Sequence, residues 1–308
     1  MKILVTGGAG FIGSQVVDAY LEAGHEVAVI DNFVTGDRKN LNPQAKLYEI
    51  DIEDAAAVKQ AIADFQPEVI NHHAAQIDVR VSVSDPLLDA QRNIIGSLNL
   101  IEAAREAGVK KFIYANSGGA GYGNPDDKDL PCTEDAPIKP IAPYGVSKVT
   151  VERYLFSRQA THGFNYVALR YANVYGPRQS FGEAGVCAIF IHLLLKGERP
   201  TIFGDGTQGR DYVYVKDVVA ANLLALDEKA SGAYNVSTGV CTTTRQVFDA
   251  VAAATGYTEE PIMAEERPGE VQRTYLSPAR IQQELGWSTS VTFEEGVKQT
   301  VAWMKEQD

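Results

Sequence analysis

A short apolar run that leads straight into closely spaced glycines is the feature that most constrains this fold. Residues 2–13 read KILVTGGAGFIG, and three of the glycines follow a G-x-x-G-x-x-G spacing: Gly7, Gly10 and Gly13. The apolar run predicts a first strand, and the apolar spacing over 11–23 predicts a helix directly after the glycines. Such glycines let the backbone approach a pyrophosphate, and the helix N-terminus offers it free N–H groups. The segment therefore predicts a dinucleotide-binding unit of the Rossmann type.

Strands and helices alternate along the first part of the chain. Strands are predicted at 26–31, near 46–50, near 68–71, at 111–115 and at 165–170, and helices at about 54–64, 87–107 and 143–161. Because helices of ten or more residues connect the strands, the pattern predicts right-handed crossovers and a parallel sheet. The predicted fold class is α/β: a Rossmann-type doubly wound parallel sheet with a smaller mixed α/β C-terminal lobe.

The pattern changes after about residue 173, where Gly and Pro cluster and the predicted elements become shorter. We predict a nucleotide-binding domain over 1–173, to which segments of about 211–236 return. The rest, 174–308, is predicted to form mainly a ligand-binding lobe. Helical patterns at 243–255, 277–285 and 293–304 belong to this lobe.

Composition narrows the range of partners. The 308 residues carry 28 basic and 40 acidic side chains, a formal charge of −12, and 45% of them are hydrophobic. This length allows one large or two intimate domains, and the acidic balance offers no basic footprint for nucleic acid or anionic membranes. No apolar run reaches the roughly 18 residues of a transmembrane helix. Cys132, Cys187 and Cys241 fit neither a disulfide framework nor a Cys/His metal pattern, so we expect no metal site and a reducing cytoplasm.

The end of the second predicted strand carries the residue that selects the cofactor. Asp31 lies about 20 residues beyond the fingerprint, where a carboxylate can accept hydrogen bonds from ribose hydroxyls and repel a 2′-phosphate. Neither Asn32 nor Phe33 supplies the Arg that NADP would favour, so the sequence predicts NAD. The alternative is that Asp31 only caps the strand. Asp51 and Ile52 are predicted to flank the adenine, with an ordinary loop position as the alternative for Asp51.

Residues 143–148, PYGVSK, place Tyr144 and Lys148 at the start of a predicted helix. Their i, i+4 spacing puts both side chains on one face. A free tyrosine has a pKa of about 10, and a fixed ammonium together with the positive nicotinamide of NAD would lower it. The phenolate could then take a proton from a sugar hydroxyl. Tyr-x-x-x-Lys is common on solvated helices, and it gains meaning only from the glycine fingerprint upstream.

Together these motifs resemble the extended short-chain dehydrogenase/reductase superfamily and, within it, the bacterial UDP-glucose (UDP-galactose) 4-epimerases. The resemblance covers essentially the whole chain. It is carried by TGGAGFIG at 6–13, HHAAQIDVRVSVSDP at 72–86, NSGGAGYG at 116–123, PYGVSK at 143–148, LRYANVYGPRQ at 169–179, GDGTQGRDYVYVKDV at 204–218 and RPGEVQRTYLSPARIQQELGW at 267–287. It implies an NAD-dependent nucleotide-sugar 4-epimerase that interconverts UDP-glucose and UDP-galactose through a 4-keto intermediate. It also implies a homodimer that uses the helices near 87–107 and 143–161.

The resemblance implies a third catalytic residue, Ser117, which fills the place of the family's Ser or Thr. Its hydroxyl would hydrogen-bond the reacting sugar oxygen, and a backbone-capping role is the alternative. Many relatives have this Ser where the chain has Gly118, and Asn116 and Gly121 also depart from the usual residues. Nucleotide-sugar 4,6-dehydratases carry Asp-Glu directly after the Ser or Thr, so Gly118 and Gly119 argue against a dehydratase.

Family positions carried over to this chain define two binding sets. The cofactor set is Gly7, Gly10, Phe11, Ile12, Gly13, Asp31, Asn32, Asp51, Ile52, Ala74, Ala75, Tyr144 and Lys148. The substrate set is Ser117, Tyr144, Asn173, Thr201, Phe203, Arg210, Arg267, Glu270 and Thr274. Arg210 and Arg267 suit a diphosphate because a guanidinium fork matches its oxygens. The alternatives are surface ion pairs for both arginines and a core position for Phe203, and Gly209 departs from the usual Thr.

Thr274 aligns with a position that gates the space around the C2 substituent of the sugar. A large Tyr there is typical of glucose-restricted enzymes, so the small Thr predicts that UDP-GlcNAc and UDP-GalNAc are also accepted. Two other functions stay open. One is another UDP-sugar enzyme of this fold, a UDP-glucuronate 4-epimerase or decarboxylase, which would need a carboxylate pocket. The other is a non-catalytic NAD-sensing protein, which typically loses the Tyr or the Lys that this chain keeps.

Overall fold

Short, almost fully buried strands build a central parallel sheet. The computed structural model describes residues 1–180, 185–266 and 271–307. Its strands are β1 Lys2–Thr6, β2 Glu26–Ile30, β3 Lys46–Tyr48, β4 Val69–His72, β5 Lys111–Ser117, β6 Asn165–Tyr171, β7 Asn173–Tyr175, β8 Thr201–Phe203, β9 Gly209–Arg210, β10 Tyr212–Tyr214, β11 Gly232–Val236, β12 Thr242–Thr243, β13 Ile262–Ala264 and β14 Arg273–Thr274. Seven of them form one sheet in the order β11-β6-β5-β4-β1-β2-β3, with every neighbouring pair parallel.

Helices cover both faces of this sheet. The α-helices of the described residues, in both lobes, are α1 Phe11–Glu22, α2 Ala55–Phe65, α3 Val79–Ser84, α4 Pro86–Asp89, α5 Gly96–Glu106, α6 Gly118–Tyr122, α7 Pro143–His162, α8 Val186–Leu195, α9 Val215–Leu224, α10 Thr244–Thr255, α11 Ala279–Leu285 and α12 Phe293–Lys305. Side chains alternate along a strand, so Ile3 and Val5 join the core beneath α1 and α9, whereas Leu4 joins the core beneath α2, α5 and α7. The predicted doubly wound α/β fold is confirmed.

The later elements build a smaller lobe around its own core. Helices α8, α10 and α12 pack together through Phe190, Val247, Val251 and Val297. Small sheets pair β7 with β10, β8 with β13, and β9 with both β12 and β14. Between these elements the chain returns to the large sheet, where β11 lies beside β6. The division of the chain into two domains near residue 173 stays a prediction.

The predicted helix over 87–107 is not one regular α-helix. Its middle, Ala90–Ile95, is π-helical and lies between α4 and α5. The Asn93 side chain there donates to the Gln76 carbonyl (2.9 Å) and accepts from the Gln76 backbone N–H (2.8 Å). Apolar periodicity cannot reveal such a segment because side-chain hydrogen bonds hold it. A π-helical turn is frequent at functional sites.

The sequence prediction also misses α8 and α9. Residues 186–195 read VCAIFIHLLL and are apolar on nearly every side, so they show no one-sided helical period. In α9, buried Asp217 and Asn222 interrupt the apolar face. Within the described ranges, no helix is both long and apolar enough to cross a membrane.

Candidate active site

A cavity of about 870 Å³ opens at the carboxyl ends of the sheet strands. It lies where the strand order reverses between β1 and β4, the position at which doubly wound sheets bind ligands. Every residue of the predicted cofactor set lines it, and so do Ser117, Asn173 and Arg210 of the predicted substrate set. The structure therefore brings the whole cofactor set and four residues of the substrate set (Ser117, Tyr144, Asn173 and Arg210) into one space.

The glycine loop that follows β1 forms one wall of this cavity. Gly7 has a φ of +67°, and a Cβ added there would lie 2.7 Å from the backbone nitrogen of Ala74. A Cβ added at Gly13 would lie 2.2 Å from the Gly7 carbonyl oxygen. The loop can adopt this path only without side chains at these two positions, which leaves its backbone accessible to a ligand.

Asp31 is held by the same loop. Its two carboxylate oxygens accept hydrogen bonds from the backbone N–H groups of Ala9 (2.9 Å) and Phe33 (2.8 Å). Each carboxylate oxygen can accept more than one hydrogen bond, so Asp31 keeps acceptor capacity toward the cavity. Asn32 donates to Asp51 at 2.7 Å, which joins two other predicted cofactor residues directly.

Helix α7 carries the predicted catalytic pair at its first turns. Pro143 opens the helix, so Tyr144 and Lys148 project from the end that faces the cavity. The Lys148 Nζ donates to the carbonyl of Ala115 at 3.0 Å and lies 5.9 Å from the centre of the Tyr144 ring. Ser117 ends β5 next to this pair and hydrogen-bonds the Tyr144 side chain. Three groups that can donate or accept a proton thus converge on one point of the cavity.

Burial governs the protonation of this pair in the ligand-free chain. It raises the pKa of Tyr144 to about 12; the nearby Asp89 raises it further, and the hydrogen bond with Ser117 opposes the rise. Burial also lowers the pKa of Lys148 to about 8, against the opposing effect of Asp89. The Tyr-x-x-x-Lys motif predicts a lowered pKa for the tyrosine, whereas in the ligand-free chain the pKa of Tyr144 is raised. The positive nicotinamide and the Lys148 ammonium, both of which that expectation included, are the charges that would favour the phenolate.

The packing around Ser117 disfavours a Ser one residue later. A Cβ added at Gly118 would lie 2.4 Å from a methyl carbon of Leu276, so a side chain at this position would require Leu276 to move. Ser117 also caps α6, since its oxygen accepts from the Ala120 N–H at 3.3 Å. The backbone-capping alternative and the catalytic role are thus compatible.

Asn116, a departure from the family pattern, connects Ser117 to a buried ion pair. Its oxygen accepts from the Ser117 N–H at 2.8 Å, and its amide donates to Glu152 at 2.5 Å. Glu152 is in turn held by both sides of the Arg170 guanidinium, at 2.6 and 3.0 Å. This chain of contacts fixes the backbone at Ser117. At Gly121, an added Cβ would make only an ordinary 3.5 Å contact with Val149, so nothing in the structure explains that departure.

Arg210 and Asn173 approach the cavity from the smaller lobe. Asp211, the residue after Arg210, holds Asn173, since its carbonyl accepts from Asn173 N–H at 2.9 Å. Its buried carboxylate accepts from the backbone N–H groups of Thr238 (2.9 Å) and Gly239 (3.0 Å). Asp211 lies outside both predicted sets. In the sequence, the indication that Asp211 has a role is its position within the motif at 204–218.

Gly209, another departure, is explained by its neighbour across the small sheet. A Cβ added at Gly209 would lie 2.2 Å from the sulfur of Cys241. β9 pairs with β12, which brings the two residues together. The usual Thr would require this thiol to move.

The remaining predicted substrate residues are placed elsewhere or are outside the described ranges. Thr201 and Phe203 lie on β8 and are absent from the described residues that line the main cavity. Thr274 is buried, donates to the Gly123 carbonyl at 3.3 Å, and lines a small pocket shared with Asn173 and Arg210. Arg267 and Glu270 lie outside the described residues.

Several cavity residues were not predicted from the sequence. They include Thr35, Gly36, Gln76, Arg92, Tyr171, Gln179, Cys187 and Tyr212. Most of them lie in loops or in the smaller lobe, where no spacing of residues predicts a binding site. Gln76 lies in the motif segment at 72–86, and Tyr171 and Gln179 lie in the one at 169–179. These two motifs are the sequence signal that could indicate a role for the three residues in the site.

The glycine loop, the reversal point and the Tyr-Lys-Ser cluster together define a short-chain dehydrogenase/reductase of the extended type. The family model described as the NAD dependent epimerase/dehydratase family matches residues 3–237. The chain belongs to this family, which confirms the predicted family and its NAD dependence.

Three solved structures are closely similar. A UDP-glucose 4-epimerase with UDP-glucose from Thermotoga maritima is 46% identical with a TM-score of 0.97, covering 100% of this chain and 99% of that one. A UDP-glucose 4-epimerase in complex with NAD from Thermus thermophilus is 45% identical with a TM-score of 0.93, covering 99% of each chain. A UDP-N-acetylglucosamine 4-epimerase from Methanobrevibacter ruminantium, in complex with UDP-N-acetylmuramic acid, is 34% identical with a TM-score of 0.93, covering 100% and 99%.

Proposed function

We propose that this protein is a UDP-glucose 4-epimerase that interconverts UDP-glucose and UDP-galactose. The observation that carries the proposal is the single cavity in which Tyr144, Lys148 and Ser117 lie between the glycine loop and Arg210. The similar structures that bear UDP-glucose and NAD support it.

The residues present fit NAD. The loop at Gly7 and Gly13 has no space for side chains and leaves room for a pyrophosphate against the N-terminus of α1. Asp31 keeps acceptor capacity for ribose hydroxyls, and Lys148 would hold the nicotinamide ribose. When bound, NAD takes a hydride from C4 of the sugar and returns it to the opposite face of the same carbon.

The chain's own residues move the proton and position the sugar. Tyr144, as phenolate, removes the proton from the 4-hydroxyl and gives it back when the sugar is reduced again. Ser117 hydrogen-bonds the same oxygen and aligns it. Lys148 supplies a positive charge that favours the phenolate.

Turning the 4-keto sugar requires an anchor remote from C4. Arg210 is placed to hold the diphosphate, and Asn173 lies beside it at the same wall. Arg267 is proposed to hold the diphosphate as well, and Glu270 is proposed as a further contact with UDP. With the diphosphate fixed, the sugar can rotate in the wide cavity and present its other face.

The cavity favours this reaction over its alternatives. Gly118 and Gly119 stand where a dehydratase carries its acidic pair, and a side chain at Gly118 would also require Leu276 to move. Among the described lining residues the Lys and Arg side chains are Lys148, Arg210 and Arg92, and Arg92 is paired with Glu53 at 3.5 Å. No basic group in this part of the chain is set aside for the carboxylate of a glucuronate.

Small Thr274 supports a second substrate pair, UDP-GlcNAc and UDP-GalNAc. Its side chain is buried, and its hydroxyl donates to the Gly123 carbonyl at 3.3 Å. A similar structure is a UDP-N-acetylglucosamine 4-epimerase. Purified protein incubated in turn with UDP-glucose, UDP-GlcNAc and UDP-glucuronate, with C4 configuration read by NMR, tests both proposals. Conversion of UDP-glucuronate alone would contradict them, and conversion of UDP-glucose alone would exclude the N-acetylated pair.

We also propose a homodimer in the cytoplasm. Large apolar side chains are exposed on neighbouring helices of the first lobe: Val83 (63%), Leu87 (81%), Val146 (47%) and Phe156 (55%). A second copy that covers this face would remove them from water. The free thiols Cys132, Cys187 and Cys241 are compatible with a reducing compartment. Sedimentation analysis of the Leu87→Glu variant tests the dimer, which this charge should dissociate.

A further inference from the structure

Asp89 is a wholly buried carboxylate that the proposed mechanism does not use. It ends α4 and is 0% exposed. Its oxygens accept hydrogen bonds from Ser147 Oγ (2.5 Å), Asn93 Nδ2 (2.9 Å) and Gln76 Nε2 (3.2 Å). None of these three donors carries a positive charge, so the hydrogen bonds solvate the carboxylate without neutralising it.

Ser147 connects Asp89 to the catalytic helix. It lies in α7 between Tyr144 and Lys148, and is itself buried. Asn93 belongs to the π-helical segment, and Gln76 lines the main cavity. The carboxylate therefore joins the catalytic helix, the π-helical segment and a cavity loop at one buried point.

In the described part of the chain, the other charged side chains near the catalytic pair are bound to partners of opposite charge. Asp89 is therefore the negative group that acts on this pair. Arg80 is exposed and bound to Asp78, and Arg92 is bound to Glu53. On the catalytic helix, Glu152 is bound to Arg170.

Neighbouring strands add groups that burial keeps neutral. Burial raises the pKa of Tyr114 and lowers the pKa values of His72 and His73, so these three side chains are uncharged near neutral pH. The Asp89 charge raises the pKa values of both Tyr144 and Lys148.

We propose that Asp89 is a positioning residue that fixes the catalytic helix through Ser147 and keeps Lys148 cationic in its buried site. This rests on the proposed function, because a cationic Lys148 matters for the proton transfer at Tyr144. Desolvation opposes the ammonium, and a nearby carboxylate offsets part of that cost.

Asp89→Asn isolates the charge from the hydrogen bonds. Its oxygen still accepts from Asn93 and Gln76, and its new amide donates to Ser147, whose hydroxyl becomes the acceptor. Epimerisation rates measured from about pH 6 to about pH 10 should show both limbs of the profile moved to lower pH by about 0.5–1 unit. Removal of a negative charge makes both groups lose their protons more readily, so the ratio of variant to wild-type rate falls as pH rises.

Ser147→Ala is the matched control, since it removes the contact and leaves the carboxylate. It should lower the rate at every pH without moving the limbs. If Asp89→Asn does not fold, as judged by circular dichroism, the smaller neutral variant Asp89→Ser replaces it. Unmoved limbs in a folded neutral variant would overturn the proposal and leave Asp89 a purely structural group.

A second readout does not depend on turnover. The pH dependence of Lys148 acylation by a small amine reagent, followed by peptide mass spectrometry on the ligand-free protein, gives the apparent pKa of this amine. In the neutral variant that pKa should be lower than in the wild-type protein, and an unchanged value overturns the proposal. A wild-type protein that acylates as expected but epimerises no UDP-sugar would instead contradict the proposed function alone.

Discussion

The two walls of the cavity are built in different ways. The first-lobe wall is made of backbone: a loop in which Gly7 and Gly13 have no space for a Cβ, and the start of α1. The second-lobe wall is made of side chains such as Arg210, which ends the two-residue strand β9 and is followed by a buried Asp211. A backbone wall can be altered only by adding atoms, whereas a side-chain wall can be retuned one residue at a time. Cofactor binding is therefore expected to be rigidly specified, and sugar binding to be adjustable.

The largest effect is expected at the junction of the two walls. Tyr144→Phe removes the hydroxyl that carries the proton and leaves the ring in place. The epimerisation rate should fall by about 10²–10⁴-fold, while UDP binding measured by calorimetry stays unchanged because neither wall has moved. A near-normal rate would remove Tyr144 from the mechanism.

The backbone wall should not tolerate one methyl group. Gly7→Ala places a Cβ against the backbone of Ala74 and should weaken NAD binding by about 5–150-fold, the range of an overpacking cost of about 1–3 kcal/mol. Gly163→Ala is the matched control, since Gly163 shares the φ of +67° but has nothing within 4 Å of an added Cβ. Bound NAD in the purified proteins reports the difference. Equal losses in both variants would show that backbone strain, and not the close approach, is responsible.

The side-chain wall should respond in affinity more than in chemistry. Arg210→Lys keeps the charge but loses the guanidinium fork, so KM for UDP-glucose should rise by about tenfold with a smaller change in kcat. Arg245→Lys is a suitable control, because Arg245 lies in the same lobe and pairs with exposed Asp249 and Glu260. An unchanged KM in Arg210→Lys would mean that the diphosphate is held elsewhere.

The smallest effect is expected at the contact between Gly209 and Cys241, which supports the side-chain wall. Gly209→Ala pushes a Cβ against Cys241 and should reduce the free energy of unfolding by about 1 kcal/mol. Adding Cys241→Ala removes the sulfur and should restore most of that loss, which urea titration of the single and double variants can measure. If the two losses simply add, the thiol does not explain this glycine.

Local sequence patterns and contacts formed by packing also differ in how far they can be predicted from the sequence. The glycine spacing, Asp31 and the i, i+4 pair are local patterns, and the structure places all of them on the cavity. The contact between Gly209 and Cys241, and the network of Asp89 with Gln76 and the π-helical segment, join residues distant in sequence or depend on non-periodic hydrogen bonds. No local pattern encodes them, because they exist only after the elements have packed.

In the proposed reaction, a hydride leaves C4 of the UDP-sugar and returns to the same carbon within one cavity. UDP-glucose that carries deuterium at C4, incubated with the purified protein in ordinary water, tests this directly by NMR and mass spectrometry of the products. The expected product is UDP-galactose that keeps the deuterium at C4, with no added oxidant or reductant consumed. Formation of UDP-galactose with the label lost to water, or no UDP-galactose at all, would contradict it.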